Sequence, residues 1–235
     1  MASTIHSFFR TFNSKLEQPV RQHLKNVYAC LTMAMMSAAT GAYVDLYTSF
    51  LSNNILPFFA TLGFLLALYY TKDNGKNQLL RLSFLLGFSF FSGLSIGSLL
   101  EQVIMIDPSI VPTAFLSTSL IFVSFSLSAI MAKRGYWLFL GGIISSILSA
   151  LIIFSLATVF FRSAMLFQVH LYIGFLLMCA FVLYDTQLII EKRLHGDKDF
   201  IAHSVELFID FIGIFRRLLV ILAQKENNKR DSKRR

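Results

Sequence analysis

The feature that most limits what this chain can become is a series of apolar stretches close to 20 residues long, each nearly free of charge and separated only by short polar breaks. A helix rising about 1.5 Å per residue needs about 20 residues to cross roughly 30 Å of hydrocarbon. Helices also satisfy their own backbone polar groups, so lipid is a solvent they tolerate. The expected fold is all-α: a polytopic membrane helical bundle of six transmembrane helices plus a central or re-entrant seventh. Of 235 residues, 55% are hydrophobic and only 14% charged, more apolar surface than one soluble core of this size can bury.

Helices are expected at 27–49, 54–71, 79–100, 110–132, 137–160, 164–190 and 204–222. Asn53-Asn54 before Pro57, the stretch from Thr71 to Asn77, Asp107-Pro108, Lys133-Arg134-Gly135 and His195-Gly196-Asp197 supply the turn chemistry between them. The connections are short, so consecutive helices run antiparallel. The chain thus divides into a cytosolic amphipathic arm over 1–26, a transmembrane bundle over 27–222 and a basic C-terminal tail over 223–235. In the arm, Ile5, Phe8, Phe9, Phe12 and Leu16 recur at helical spacing with Arg10 and Lys15 off that stripe. This suits either a helix lying on the headgroups or a solvated arm. No cleaved signal is read there, and the first helix would target the chain. Gly93 and Gly97, Gly142 and Ser146, and Ser145 and Ser149 stand at four-residue spacing, which is read as close helix packing.

Basic residues set the expected orientation, because cytoplasmic loops are enriched in Lys and Arg. Arg10, Lys15, Arg21 and Lys25 precede the first helix, Lys72, Lys76 and Arg81 lie between the second and third, Lys133 and Arg134 follow the fourth, and Lys192, Arg193 and Lys198 follow the sixth. All four places fall on one side. The opposite loops hold Arg162 alongside Asp45, Glu101 and Asp107, so the N-terminus is expected in the cytosol. The last segment breaks the pattern: a full crossing would carry Arg216, Arg217 and the tail to the other side. It also holds Glu206 and Asp210, so it is either wrapped by other helices or dips in and returns.

Cys30 and Cys179 sit inside apolar segments, without metal-ligand spacing, and imply no redox chemistry. There is no phosphate-binding Gly-rich loop, HExxH or nucleophile elbow, and nothing points to a nucleic-acid partner. A soluble enzyme is excluded, no catalytic residue is assigned and no cofactor is expected.

Two acids carry the chemistry. Asp185 lies near the end of the sixth helix and Asp210 near the start of the seventh, at similar depth from the same face. An acid within the membrane must be paired, protonated or wetted, which makes it a functional candidate. If the two meet, both charges cannot easily coexist, and the pair would titrate as one unit sharing a proton. Carboxylates are hard ligands that also take Ca²⁺ in passing, so the pair reads as a pH sensor and gate on a cation path, with Ca²⁺ and H⁺ as its ions. Glu206, one turn before Asp210, is a pore-lining candidate. Arg81, ranked ahead of Lys72, is the candidate cation that latches the closed state. The bland reading is that each Asp caps or bonds a neighbouring helix.

The strings FVLYDTQLIIEKRLHGDKDFIAHSVELFIDFIGIFRRLLVIL, QHLKNVYACL, ATGAYV, DPSIVPTAF and YWLFLGGI resemble the Bax inhibitor-1 proteins of the transmembrane Bax inhibitor motif family over nearly the whole chain. The resemblance implies an endoplasmic-reticulum protein that suppresses cell death and leaks Ca²⁺ from the store, with leak increased by acid. The family's pH-sensing acids map onto Asp185 and Asp210. Its charged C-terminus, linked to pH response and partner binding, corresponds to Lys225, Lys229, Arg230, Lys233, Arg234 and Arg235. Implied partners are membrane lipid, Ca²⁺, Bcl-2-type cell-death regulators and Ca²⁺ channels of that membrane. Bacterial relatives carry a latch arginine at the end of the second helix, where this chain reads LYYTKDNGK.

Two other readings compete. Tyr184-Asp185 resembles half the signature of an aspartyl intramembrane protease, but Phe208 and Ile209 precede Asp210 where the other half carries glycine. The more serious alternative is a non-conducting scaffold that binds cell-death regulators or other channels. Channel transport and Ca²⁺/H⁺ exchange are equally compatible with the sequence.

Overall fold

The computed structural model describes residues 17–48, 56–161 and 164–234, without the side chains of 157–161, 164 and 234. The expected stripe in the arm, the Asn53-Asn54 turn, Arg162 and Arg235 lie outside the described residues. Among those described, seven helices and no strands are found: α1 (Gln18–Thr48), α2 (Leu56–Tyr70), α3 (Gln78–Ile106), α4 (Ile110–Met131), α5 (Leu140–Phe161), α6 (Ala164–Leu194) and α7 (Phe200–Arg234). Four of them, α1, α3, α4 and α6, are long and apolar enough to cross a membrane, and α2 and α5 contain shorter apolar stretches. The protein is a polytopic helical membrane bundle.

α7 is its axis. It packs on α6, α1, α4 and α3, while α2 lies outside against α3 and α5 outside against α6. Its upper half buries Ile201, Val205 and Phe208 in the main core, and its lower half sends Leu219 and Ala223 into a second cluster with Ile96, Leu100 and Val103 of α3 and Ile110 of α4. The re-entrant alternative therefore does not fit. α7 runs without reversal from the α6–α7 turn towards the α3–α4 connection, where Lys229 and Arg230 act on the charge of Asp107. Enclosure by four helices is how a segment holding Glu206 and Asp210 is accommodated.

Several boundaries differ from expectation for physical reasons. α1 starts at Gln18, inside what was read as the arm, because Val20, His23, Leu24 and Val27 form a buried stripe that outweighs the exposed Arg21 and Lys25. α7 extends through the expected tail to Arg234, with Glu226 set 3.6 Å from both Lys229 and Arg230 one turn on. Asp45, counted among loop charges, is buried within α1.

The small-residue pattern splits. A Cβ at Gly93 would overlap the Ala38 carbonyl, so α1 and α3 meet there backbone to backbone, and one at Gly97 would overlap the Asp45 side chain, which packs into the space that glycine leaves. Gly142 faces open space instead, and Ser145, Ser146 and Ser149 donate back to carbonyls of their own helix. The α5 spacing does not mark a packed seam among the described residues. Gly141 takes that place, with Tyr184 Cε2 3.0 Å from where its Cβ would stand.

Candidate functional site

The turn between α6 and α7 sets the site. Gly196 adopts φ 99°, the left-handed conformation that ends α6, and the Asp197 amide bonds back to the Lys192 carbonyl at 3.0 Å. Asp199 then caps α7, accepting a hydrogen bond from the Ala202 amide at 3.0 Å. With this tight turn the two helices descend antiparallel. Asp185, nine residues before the end of α6, and Asp210, ten residues into α7, come to similar depth, about 14–15 Å along each axis.

Their rotation, which spacing leaves free, also agrees. The Asp185 and Asp210 carboxyl groups lie within hydrogen-bonding reach of one another. Asp210 is 3% exposed, Asp185 is half-buried, and one Asp210 oxygen has no other partner among the described residues. Glu206, one turn nearer the α6–α7 end, acts electrostatically on both acids and is itself paired with Lys192 at 2.8 Å. Lys192 lies two turns beyond Asp185 on the same face of α6, and its charge also reaches Asp185. The result is a polar column of three acids and one cation inside an apolar bundle. Among the described residues, no group of three or more His, Cys, Asp or Glu side chains is arranged to hold a metal ion.

Neither candidate latch cation stands beside the acids. Arg81 makes a bidentate pair with Asp199, both contacts 2.6 Å, its side chain only 3% exposed. It ties the start of α3 to the cap of α7, above the column. Lys72 is exposed in the α2–α3 connection. The cation at the acids is Lys192, which sequence reasoning placed only among loop charges.

The same end of the bundle holds contacts that sequence did not suggest. His23 of α1 and His203 of α7 share a buried hydrogen bond, Nε2 to Nδ1 at 2.9 Å, and His203 Nε2 lies 3.5 Å from Asp197. Arg134 donates two hydrogen bonds of 2.7 Å to Glu191. Gln187 accepts from the Trp137 amide and donates to the carbonyls of Ala129 and Lys133, fixing the α4–α5 connection to α6. At the opposite end, hydrogen bonds from Ser109, with Arg230 and Lys229 adding, hold the Asp107 carboxyl below the usual carboxylate range. Of the basic residues in the last stretch, Lys225, Lys229, Arg230 and Lys233 continue α7 at that end.

Residues 20–227 match the family described as inhibitor of apoptosis-promoting Bax1. The chain is similar to Bax inhibitor 1 of Homo sapiens, 47% identical over 221 residues that cover 94% of this chain and 93% of that protein. It is 39% identical to Bax inhibitor 1 of Drosophila melanogaster over 237 residues, covering 99% and 96%, and 37% identical to that of Arabidopsis thaliana over 216 residues, covering 92% and 86%. A match of that extent, on a helical bundle built around one charged central helix, means that the chain belongs to the Bax1-inhibitor family.

Proposed function

We propose that this protein suppresses cell death from the endoplasmic-reticulum membrane by leaking Ca²⁺ from the store along a path that the Asp185–Asp210 pair opens in acid. The observation that carries this reading is the meeting of the two carboxyl groups inside the bundle. The names of the relatives support the cell-death role.

With one proton between them, the acids form a charge-assisted O–H···O⁻ bond that ties α6 to α7. Addition of a second proton leaves a neutral bond about half as strong, and the two helices are freed to part. Ca²⁺ then moves between the parted helices past Glu206, an acidic residue that attracts cations and repels anions, while the neutral Asp185 and Asp210 carboxyl groups offer it only their carbonyl oxygens. Lys192 holds Glu206 in the closed state. The end bearing Arg21, Lys76, Arg134 and Lys198 faces the cytosol, which puts the N-terminus there and makes cytosolic acid the trigger. The last turns of α7 offer cations to lipid or to a protein partner such as a Bcl-2-type regulator or a Ca²⁺ channel.

The deciding experiment is Ca²⁺ flux by the purified protein alone in liposomes, measured as pH falls. Flux that rises in acid, and that loses this dependence in Asp185→Asn and Asp210→Asn, is the expected result. Absence of flux at every pH, with the protein folded, would overturn the channel and leave the scaffold.

A further inference from the structure

α3 and α6 flank α7 without a packed seam between them, and the gap opens into a cavity of about 580 Å³. Phe88 of α3 and Phe208 of α7 line it, as do Ser92 of α3, His170 of α6, and Arg216 and Arg217 of α7. The placement of these residues is polarised. Phe208 lies about 12 Å along α7 from Phe200, near mid-membrane, whereas Arg216 and Arg217 lie about 24–26 Å along it, close to the far edge of a roughly 30 Å hydrocarbon layer. His170 sits in the second turn of α6, which starts at that same edge. The crevice is thus greasy at its inner end and cationic at its outer end.

The two guanidinium groups lack what arginines in a membrane protein usually have. Neither forms a salt bridge among the described residues. Arg217 is half-buried, donates at 3.1 Å to the Gly213 carbonyl of its own helix, and lies over Gly174, where a Cβ would come within 2.6 Å of its Nε. The absence of a side chain at Gly174 is what allows α6 to admit it. Arg216, next to it, is exposed. Adjacent cations at the edge of a low-dielectric layer require an opposing charge, and no described residue pairs with them there. A planar guanidinium fork fits the oxygens of a phosphate.

We propose that this crevice binds an anionic phospholipid, its phosphate on Arg216 and Arg217 beside His170, and one acyl chain along Phe88 and Phe208. A headgroup at the membrane edge and a chain reaching inward match the polarity of the cavity end for end. The site is separate from the Asp185–Asp210 pair, and its occupation does not depend on whether Ca²⁺ flows.

The test is native mass spectrometry of the full-length protein in detergent, titrated with phosphatidylglycerol or phosphatidylcholine of the same chains. Wild type should retain the anionic lipid in preference by about tenfold or more, the effect of one to two charge-assisted hydrogen bonds. Arg216→Gln with Arg217→Gln should abolish the preference, leaving the basic end of α7 intact. Because Arg217 also packs on Gly174, a second variant, Ser92→Trp, fills the crevice with both arginines present and should lower retention of phosphatidylglycerol equally. Equal retention of the two lipids by wild type would overturn the assignment. So would a preference that survives in the arginine variant, which would place the lipid on the last turns of α7. Displacement of phosphatidylglycerol by equimolar inorganic phosphate would show an anion site with no use for the acyl chain, and would overturn it as well.

Discussion

Removing either partner of the Arg81–Asp199 pair should destabilise the bundle, and by different amounts. Truncating one member of a buried ion pair costs roughly 3–5 kcal/mol, chiefly because the other charge is left unpaired. Asp199 retains 22% exposure against 3% for Arg81, so water can reach the carboxylate left by Arg81→Ala, and the lower figure applies. Asp199→Ala strands the more deeply buried guanidinium and also removes the α7 cap on the Ala202 amide, about a further 1 kcal/mol. At roughly 2–4 °C per kcal/mol for a chain of this length, Arg81→Ala should lower Tm by about 6–12 °C and Asp199→Ala by several degrees more. Cys30 and Cys179 are free and buried, so a thiol-reactive dye reports unfolding of the purified protein directly. The sign with pH follows as well. Burial pushes the Asp199 carboxyl up, but the hydrogen bonds from Arg81 and the Ala202 amide, with the charge of Arg81, outweigh it and hold the group below its ordinary value. Its stabilisation is complete above the ordinary carboxylate range and is lost as pH falls through the lowered folded value, so the gap between wild type and variants should be flat near neutrality and close only below about pH 4. Two near-neutral variants, or Arg81→Ala the worse of the two, would refute the reasoning.

Gly93→Val should cost about 3 kcal/mol or more by forcing α1 off α3, whereas Gly142→Val should stay within about 0.5 kcal/mol, both read by the same dye assay. In sealed vesicles, a cysteine at Lys233 and one at His195 should react with a membrane-impermeant thiol reagent from opposite sides, since α7 runs through the bundle; labelling from one side would contradict the continuous helix. Lys192→Gln breaks a partly exposed pair at 2.8 Å and should change stability by less than about 1 kcal/mol. With that positive charge gone, acid-activated Ca²⁺ flux should begin at a higher pH than in wild type, and an unchanged onset would remove Lys192 from the site.

The helices and the level of the acids were legible because both depend on counting along one chain. Apolar run length gives a crossing, and residue offsets from the His195-Gly196-Asp197 turn give depth. Arg81 and Asp199 are 118 positions apart, and no periodicity says which way each helix turns, so that pair was unreadable. Lys192 was different. Its spacing of seven from Asp185 places it on the same helical face, a signal overlooked because it was counted only towards membrane orientation. The start of α1 was missed because Arg21 and Lys25 mask a buried stripe at Val20, Leu24 and Val27 that becomes evident only when each face of the helix is considered separately.

A central post that follows, in chain order, the helices enclosing it has a consequence for assembly. Glu206, Asp210, Arg216 and Arg217 make Phe200–Arg234 a poor candidate for entering lipid unaided, so it must be taken up by helices already in place. Until it emerges from the ribosome, α1, α3, α4 and α6 have nothing to close upon. A product truncated before Phe200 would present an unfilled hollow to the quality-control machinery, however well its first six helices had been inserted.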